Sequence, residues 1–162
     1  MTLISFILKF SIMRAVIQRV KNATVIIDEE TKTSIRGGLL ILLGVEREDK
    51  REDADWLANK IAGLRIFDDA RGVMNLNVSQ TNGDLMVISQ FTLHAKTRKG
   101  NRPSYIQAAP PDQSEPLYSY FIEKISGESG IKAKTGTFGA EMDVNLVNSG
   151  PVTIIIDTKN KE

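Results

Sequence analysis

The feature that most constrains the fold is an apolar stretch, residues 86–93, that becomes polar near its end. Its first three residues form a run that is typical of a buried strand. Ser89, Gln90 and Thr92 then place hydrogen-bond donors and acceptors where that strand should end. Because buried polar groups need partners, this cluster is either paired locally or open to a ligand. The stretch therefore predicts a central strand with a candidate site at its end.

The composition excludes several classes of site. The chain has 162 residues, 41% of them hydrophobic and 25% charged, as in an ordinary single globular domain. Its net charge is +1, so any role in nucleic-acid binding has to depend on a local basic patch. The absence of cysteine excludes disulfides and Cys-ligated zinc, and fits a reducing cytoplasm. His94 is the one histidine, so a His-rich metal site is excluded, and we expect no metal and no cofactor.

The first twelve residues, 1–12, are predicted to be an N-terminal extension outside the core. They are apolar with one lysine, too short to span a bilayer, and they lack the basic leading segment of a signal peptide. A weak membrane-surface anchor is the alternative interpretation. Met13 begins a well-formed strand. We expect one core domain at residues 13–158, a frayed tail at 159–162 and no membrane partner.

Hydrophobic periodicity predicts a mixed α/β domain with two main helices. Residues 49–64 carry apolar side chains at helical spacing, and a second helix is expected from Asp112. Residues 141–147 alternate like a strand, and residues 152–156 are predicted to be the last strand. The Gly150-Pro151 step between them cannot continue a regular ladder, which predicts a bulge, an edge or a tight connection with exposed backbone carbonyls.

A loop that follows the central strand is strongly basic. It runs over residues 94–105 and contains no acidic residue. Its cations are Lys96, Arg98, Lys99 and Arg102. One interpretation is a solvated surface loop. The other is a loop that contacts nucleic-acid phosphates beside the polar strand end.

The strand end admits two kinds of chemistry. Ser89 and Thr92 are candidate nucleophiles, but each needs a base. If the strand continues, His94 lies on the same side as Thr92 and forms a Thr–His pair that has no orienting acid. Alternatively, backbone N–H groups form an oxyanion hole for acyl transfer. In that case the substrate brings its own hydroxyl, as an aminoacylated ribose does.

Several stretches together resemble the D-aminoacyl-tRNA deacylase family. They are residues 89–93, 99–103 and 148–153, and residues 13–20 and 74–77 also match. The resemblance covers nearly the whole chain after the extension. It implies hydrolysis of the ester that links D-amino acids, or glycine mischarged on tRNA-Ala, to tRNA. It also implies a homodimeric, barrel-like α/β fold without a metal.

The resemblance implies an active site that both subunits build at their interface. The catalytic strand end of one subunit, Ser89, Gln90, Phe91 and Thr92, would face a Gly150–Pro151 dipeptide of the other subunit, with its peptide bond in cis. The carbonyls of that dipeptide would hold the α-amino group of the substrate and leave no space for an L side chain.

The resemblance also implies individual roles. Phe91 would donate its backbone N–H to the oxyanion, and Thr92 would position the ester. Arg19 would brace the dipeptide, while Phe138 and Met142 would cradle the terminal adenosine. Thr92 is either a nucleophile or a positioning group, and we favour positioning, with the ribose 2′-hydroxyl assisting.

Two alternative functions stay open at this point. One is a noncatalytic nucleic-acid-binding protein on the same fold, which would use the basic loop. The other is a relative whose Gly150–Pro151 bond is trans and which edits L-aminoacyl-tRNA. The preferred amino acid and tRNA do not follow from the residues.

Overall fold

The computed structural model describes residues 13–161, and the extension predicted at 1–12 lies outside the described residues. Its elements are β1 (Arg14–Ile27), β2 (Glu30–Ile35), β3 (Gly38–Gly44), α1 (Arg51–Ala62), β4 (Phe67–Asp68), β5 (Met74–Leu76), β6 (Asp84–Ser89), a 3₁₀ turn (Phe91–His94), α2 (Pro111–Ser129), β7 (Lys134–Thr135) and β8 (Asp143–Asp157). The predicted mixed α/β fold with two main helices is confirmed.

Six of the strands form one sheet that bends toward closure. Its order is β2-β1-β3-β6-β7, and β8 pairs along β1. The β3–β6 and β6–β7 pairs are parallel, and the others in this sheet are antiparallel. Lys134 Nζ on β7 donates to the carbonyl of Ser34 on β2 at 2.7 Å. This bond joins the two ends of the strand order, which confirms the barrel-like sheet.

The central strands are buried because the sheet has a hydrophobic cluster on each face. One cluster packs β1, β3 and β6 against the two helices, with Leu57 and Phe121 among its fully buried members. The other lies on the opposite face and includes Val25, Leu40 and Met86. Strands covered on both faces have continuous apolar sequences, as β3 does.

Three predicted boundaries need correction. Helix α1 begins at Arg51 rather than at residue 49, because Asp49 Oδ2 accepts the N–H of Glu46 in the preceding turn at 2.6 Å. Helix α2 begins at Pro111, where a missing N–H costs nothing. The two strands predicted at 141–147 and 152–156 are one interrupted strand, β8. Neither helix of residues 13–161 has the length and hydropathy needed to cross a membrane.

Candidate active site

The central strand ends in a tight turn whose first two backbone N–H groups have no acceptor inside the turn. The N–H of Gln90 donates to Leu43 on β3 at 2.8 Å, and the chain then enters the 3₁₀ turn. Leu93 N–H makes the first bond of that turn, to Gln90 at 3.3 Å. The N–H groups of Phe91 and Thr92 precede this bond, so they have no acceptor within the turn. The strand therefore does not continue past Gln90.

The end of the strand removes the geometric basis of a Thr–His pair. The Thr–His pair requires the strand to continue through His94, and this condition is not met, because both residues lie in the 3₁₀ turn. The Thr92 hydroxyl is hydrogen-bonded to Gln90 Nε2 at 2.5 Å. His94 is buried, and burial lowers its pKa. Within residues 13–161, no three His, Cys, Asp or Glu side chains are grouped to hold a metal ion.

Two cavities are lined by the strand end. One has a volume of about 410 Å³, and residues 89–91, Tyr118 and Phe138 are part of its wall. The other has a volume of about 250 Å³ and combines the same three residues with Met142. Gly139 lines both cavities. The structure thus brings Phe138 and Met142 to the strand end, from a turn that is about fifty residues further along the chain.

Helix α2 supports the wall of the larger cavity. Tyr118 Oη donates to the carbonyl of Val87 at 2.7 Å, and its ring lies 5.6 Å from that of Phe138. Burial raises the pKa of Tyr118, so the hydroxyl stays a donor. Gly139 follows with φ at +75°, a conformation that favours glycine and lets the turn present Phe138 to the cavity.

The Gly150–Pro151 dipeptide lies in a large bulge of β8. Gln18 pairs with Thr153 and Val20 pairs with Asn148, so residues 149–152 all lie opposite the single residue Arg19. The peptide bond between Gly150 and Pro151 is cis, as the resemblance implies, whereas the L-editing alternative requires trans. Both residues are exposed. The dipeptide therefore projects from the ladder with its backbone accessible.

Arg19 binds this bulge through hydrogen bonds. Its Nε donates to the carbonyl of Ser149 at 3.0 Å, and its Nη1 donates to the carbonyl of Ile66 at 2.8 Å. Asp68 lies 3.4 Å from the same Nη1. A Cβ atom on Gly150, whose φ is +125°, would lie 2.7 Å from Arg19 Nη2. Arg19 and the dipeptide thus fit closely only while position 150 is glycine.

The two halves of the predicted site are far apart within one chain. Gly150 lies opposite Arg19, which pairs with Leu39, whereas Ser89 pairs with Leu43 on the same strand. Four residues of strand correspond to about 13 Å along β3. Strands β1 and β3 also lie between β8 and β6. A single chain therefore does not bring the dipeptide against the strand end.

The basic loop is a closed, exposed hairpin beside the turn. Lys96 and Ser104 exchange backbone hydrogen bonds of 2.8 and 3.0 Å. The loop cations are all exposed, and none pairs with a carboxylate among the described residues 13–161. They are Lys96, Arg98, Lys99 and Arg102. A cluster of surface cations without paired carboxylates favours an anionic partner.

Sequence reasoning missed two residues that hold the turn in place. Arg14 Nη1 donates to the carbonyl of Leu93 at 2.8 Å, while its Nε donates to Asp157 at 2.7 Å. A Cβ atom on Gly44 would lie 3.0 Å from both His94 Nε2 and Leu93 Cβ. The available signals were an arginine inside an apolar strand, which needs partners, and a glycine at the end of the buried run.

Comparison with known proteins gives consistent matches over nearly the whole chain. The sequence profile of the family described as D-Tyr-tRNA(Tyr) deacylase matches residues 16–157. The D-aminoacyl-tRNA deacylase of Bacteroides fragilis (strain YCH46) is 59% identical over 150 residues, which are 93% of this chain and 100% of that protein. The D-aminoacyl-tRNA deacylase of Flavobacterium psychrophilum is 55% identical with the same coverage.

Two solved structures share the fold. The structure titled c-Myc DNA Unwinding Element Binding Protein has a TM-score of 0.83 and 36% identity, and covers 89% of this chain and 97% of its own. A probable eukaryotic D-amino acid tRNA deacylase has a TM-score of 0.78 with 14% identity, covering 90% and 99%. The second likeness shows the fold alone.

Proposed function

The chain belongs to the D-aminoacyl-tRNA deacylase family, a family of hydrolases that act on the ester bond of aminoacyl-tRNA, and from this premise we propose that it carries out a chiral proofreading step. In this step it releases D-amino acids from tRNA and leaves L-aminoacyl-tRNA intact. The observation that carries the proposal is the 3₁₀ turn after β6. Its first two N–H groups have no acceptor within the turn, and the turn lies beside two cavities.

The turn would stabilise the transition state of ester hydrolysis. Negative charge develops on the carbonyl oxygen during attack, and preorganised backbone donors stabilise such charge strongly. Phe91 N–H is the proposed donor. Thr92, held by Gln90, positions the ester. The ribose 2′-hydroxyl assists the attack, so the protein supplies geometry and hydrogen bonds rather than its own nucleophile.

The exposed dipeptide would act as the stereochemical filter. Its backbone carbonyls accept hydrogen bonds from the substrate's ammonium group, and the space beside them is too small for an L side chain. Glycine has no side chain to exclude, so we include glycyl-tRNA mischarged on tRNA-Ala among the substrates. Recognition by backbone atoms explains why no acidic side chain is needed to hold the amino group.

The active site would be completed by a second subunit. The separation between Gly150 and the strand end within one chain supports this, because the two lie about 13 Å apart along the direction of β3. A homodimer places the dipeptide of one subunit against the turn of the other. Such an arrangement also gives a partner to the exposed side of β8, where Ile155 is 67% exposed.

The tRNA would be held partly by the basic loop. Lys96, Arg98, Lys99 and Arg102 are exposed beside the turn and would contact phosphates near the aminoacylated 3′ end. Since tRNA is the substrate and the chain has no cysteine, we place the protein in the cytoplasm.

The test is hydrolysis of matched D- and L-tyrosyl-tRNA by the purified protein, with and without a chelator. We expect fast cleavage of the D ester, negligible cleavage of the L ester and no effect of the chelator. Cleavage of both esters would keep the esterase and contradict the filter. Cleavage of neither by a folded dimer would contradict the proposed function.

A second candidate is a nucleic-acid-binding protein without turnover. Two observations favour it: the cations of the basic loop pair with no carboxylate among residues 13–161, and the 36% identical structure is described as a DNA unwinding element binding protein. Salt-dependent binding of tRNA without hydrolysis of either ester would select this candidate.

A further inference from the structure

An exposed apolar surface lies between the larger cavity and the basic loop. Phe91, Tyr105 and Ile106 are 56%, 39% and 72% exposed. Phe91 begins the catalytic turn, and Tyr105 directly follows Ser104, which closes the basic loop. The catalytic turn, the aromatic rings and the cations are therefore continuous. Contiguous exposed apolar groups that are bordered by charge mark binding surfaces.

Contacts within the chain support this surface. The rings of Phe91 and Tyr105 meet edge to face, with centroids 5.1 Å apart and planes at 74°. Arg47 Nε donates to the carbonyl of Ile106 at 2.8 Å, and its backbone N–H donates to Gln107 at 3.2 Å. These contacts support the surface without a ligand, and such preorganisation lowers the entropy cost of binding.

The chemistry of this surface matches a single-stranded nucleic acid. Bases stack on aromatic rings without regard to sequence, and cations beside the rings follow the phosphates. No acidic residue occurs from Phe91 to Pro111, so nothing in this segment repels a polyanion. Tyr105 and Phe138 also line the same cavity. A strand whose terminal nucleoside enters that cavity continues past Tyr105 toward the loop.

We infer that Tyr105 and Ile106 form a stacking platform for the unpaired nucleotides that precede the terminal adenosine of the tRNA. This inference rests on the proposed function and adds a second binding subsite to it. The platform would distinguish an aminoacylated strand from an aminoacylated nucleoside. The basic loop would hold the phosphates of the same nucleotides.

The experiment compares two D-tyrosyl esters, one on full-length tRNA and one on adenosine alone, with Tyr105→Leu and Tyr105→Phe. The leucine variant keeps an apolar side chain but removes the ring, and the phenylalanine variant keeps the ring. We expect the ratio of kcat/KM for tRNA to kcat/KM for adenosine to fall about tenfold in the leucine variant, in the range of one lost base stack. The phenylalanine variant should keep the wild-type ratio.

Inhibition by uncharged tRNA gives the same comparison without turnover. Its Ki should rise in Tyr105→Leu and in Ile106→Ser, and it should stay unchanged in Tyr105→Phe. An unchanged ratio together with an unchanged Ki would overturn the platform. An equal loss on both esters, or a shift in oligomeric state by sedimentation, would assign Tyr105 to the cavity or to a subunit contact instead. Failure of the wild type to cleave either D ester would contradict the proposed function itself.

Discussion

At the residue scale, Thr92 is proposed to orient the ester rather than to attack it. Its hydroxyl accepts a hydrogen bond from Gln90 Nε2, and His94, which lies in the same 3₁₀ turn, is buried. We predict that Thr92→Ala lowers kcat for D-tyrosyl-tRNA about tenfold, because the ester is then oriented less well. Hydrolysis should stay measurable. Thr92→Ser should restore most of the rate. Complete loss with tRNA binding intact would identify Thr92 as the nucleophile.

Gly150 has two independent reasons to be glycine. Its φ of +125° is unfavourable for other residues, and an added Cβ would lie 2.7 Å from Arg19 Nη2. We predict that Gly150→Ala displaces the bulge, lowers kcat/KM for D-tyrosyl-tRNA by at least about tenfold and narrows the D-over-L ratio. Parallel kinetics with both esters measure this.

Gly127 provides the matched control for that substitution. It lies in helix α2, and a Cβ there would meet nothing within 4 Å. Gly127→Ala should leave the D-over-L ratio unchanged and stabilise the fold by up to about 1 kcal/mol. Equal kinetics for the two alanine variants would contradict a role of the Gly150 bulge in selecting the D ester.

At the element scale, the 3₁₀ turn is connected to the end of β8 through Arg14 on β1. Arg14 reaches both Asp157 and the carbonyl of Leu93 with one guanidinium group. Lysine cannot reproduce this fork, so we predict that Arg14→Lys lowers kcat several-fold while KM for D-tyrosyl-tRNA stays within twofold. Asp157→Asn should have a smaller effect. A lowered Tm with unchanged kcat would show that Arg14 serves the fold only.

The turn before α1 makes stability depend on pH. Burial raises the pKa of Asp49 from 3.8 to about 7, and the neighbouring charges of Asp53 and Glu46 add to the rise. Because the folded state then binds the proton more tightly than the unfolded chain, stability from this group is full below about pH 4 and is lost as the pH rises to about 7. We predict that the free energy of unfolding of Asp49→Asn, relative to that of the wild type, increases by on the order of 1–3 kcal/mol from pH 5 to pH 8.

Urea unfolding at the two pH values measures this gain, and Asp69 provides a control of opposite sign. Backbone N–H groups of Arg71 and Val73 lower the pKa of Asp69. The Asp69 carboxylate therefore stabilises the fold at neutral pH, and this stabilisation is lost in acid. The stability of Asp69→Asn relative to the wild type should accordingly fall as the pH rises from acid to neutral. A pH-independent difference for Asp49→Asn would contradict the assignment.

At the scale of the whole molecule, the proposed site depends on two copies of the chain. Phe91→Pro removes the N–H proposed as oxyanion donor, and Phe91→Ala is its control with the N–H intact. We predict that Phe91→Pro dimers and Gly150→Ala dimers each hydrolyse D-tyrosyl-tRNA more slowly than the wild type. The loss of rate should be about 10²-fold for Phe91→Pro. After the two are mixed and exchanged, each heterodimer has one site with neither change.

Random exchange makes half of the dimers mixed, so activity should recover to about a quarter of the wild-type value, since site pairing follows the symmetry of the dimer. D-tyrosyl-tRNA hydrolysis before and after exchange measures the recovery, and sedimentation confirms the dimer. Absence of recovery in a sample shown to contain heterodimers would mean that each subunit completes its own site.

The local chemistry of this protein follows from its sequence, because the signals are short and contiguous. The polar end at residues 89–92, the Gly150-Pro151 step and the basic loop are each readable as a few adjacent residues. Hydrophobic periodicity likewise predicts the two helices and the one-sided strands, since burial on one face leaves a period in the chain.

The tertiary structure alone decided how these segments are arranged, because arrangement depends on contacts between distant residues. The 3₁₀ turn follows from the bond of Gln90 to Leu43, and the bulge follows from the register of β8 against Arg19. Arg14 holds Leu93 across 79 positions of sequence, a partner that no local pattern specifies. The separation of the two halves of the site is likewise a property of strand order and register, which a sequence pattern does not contain.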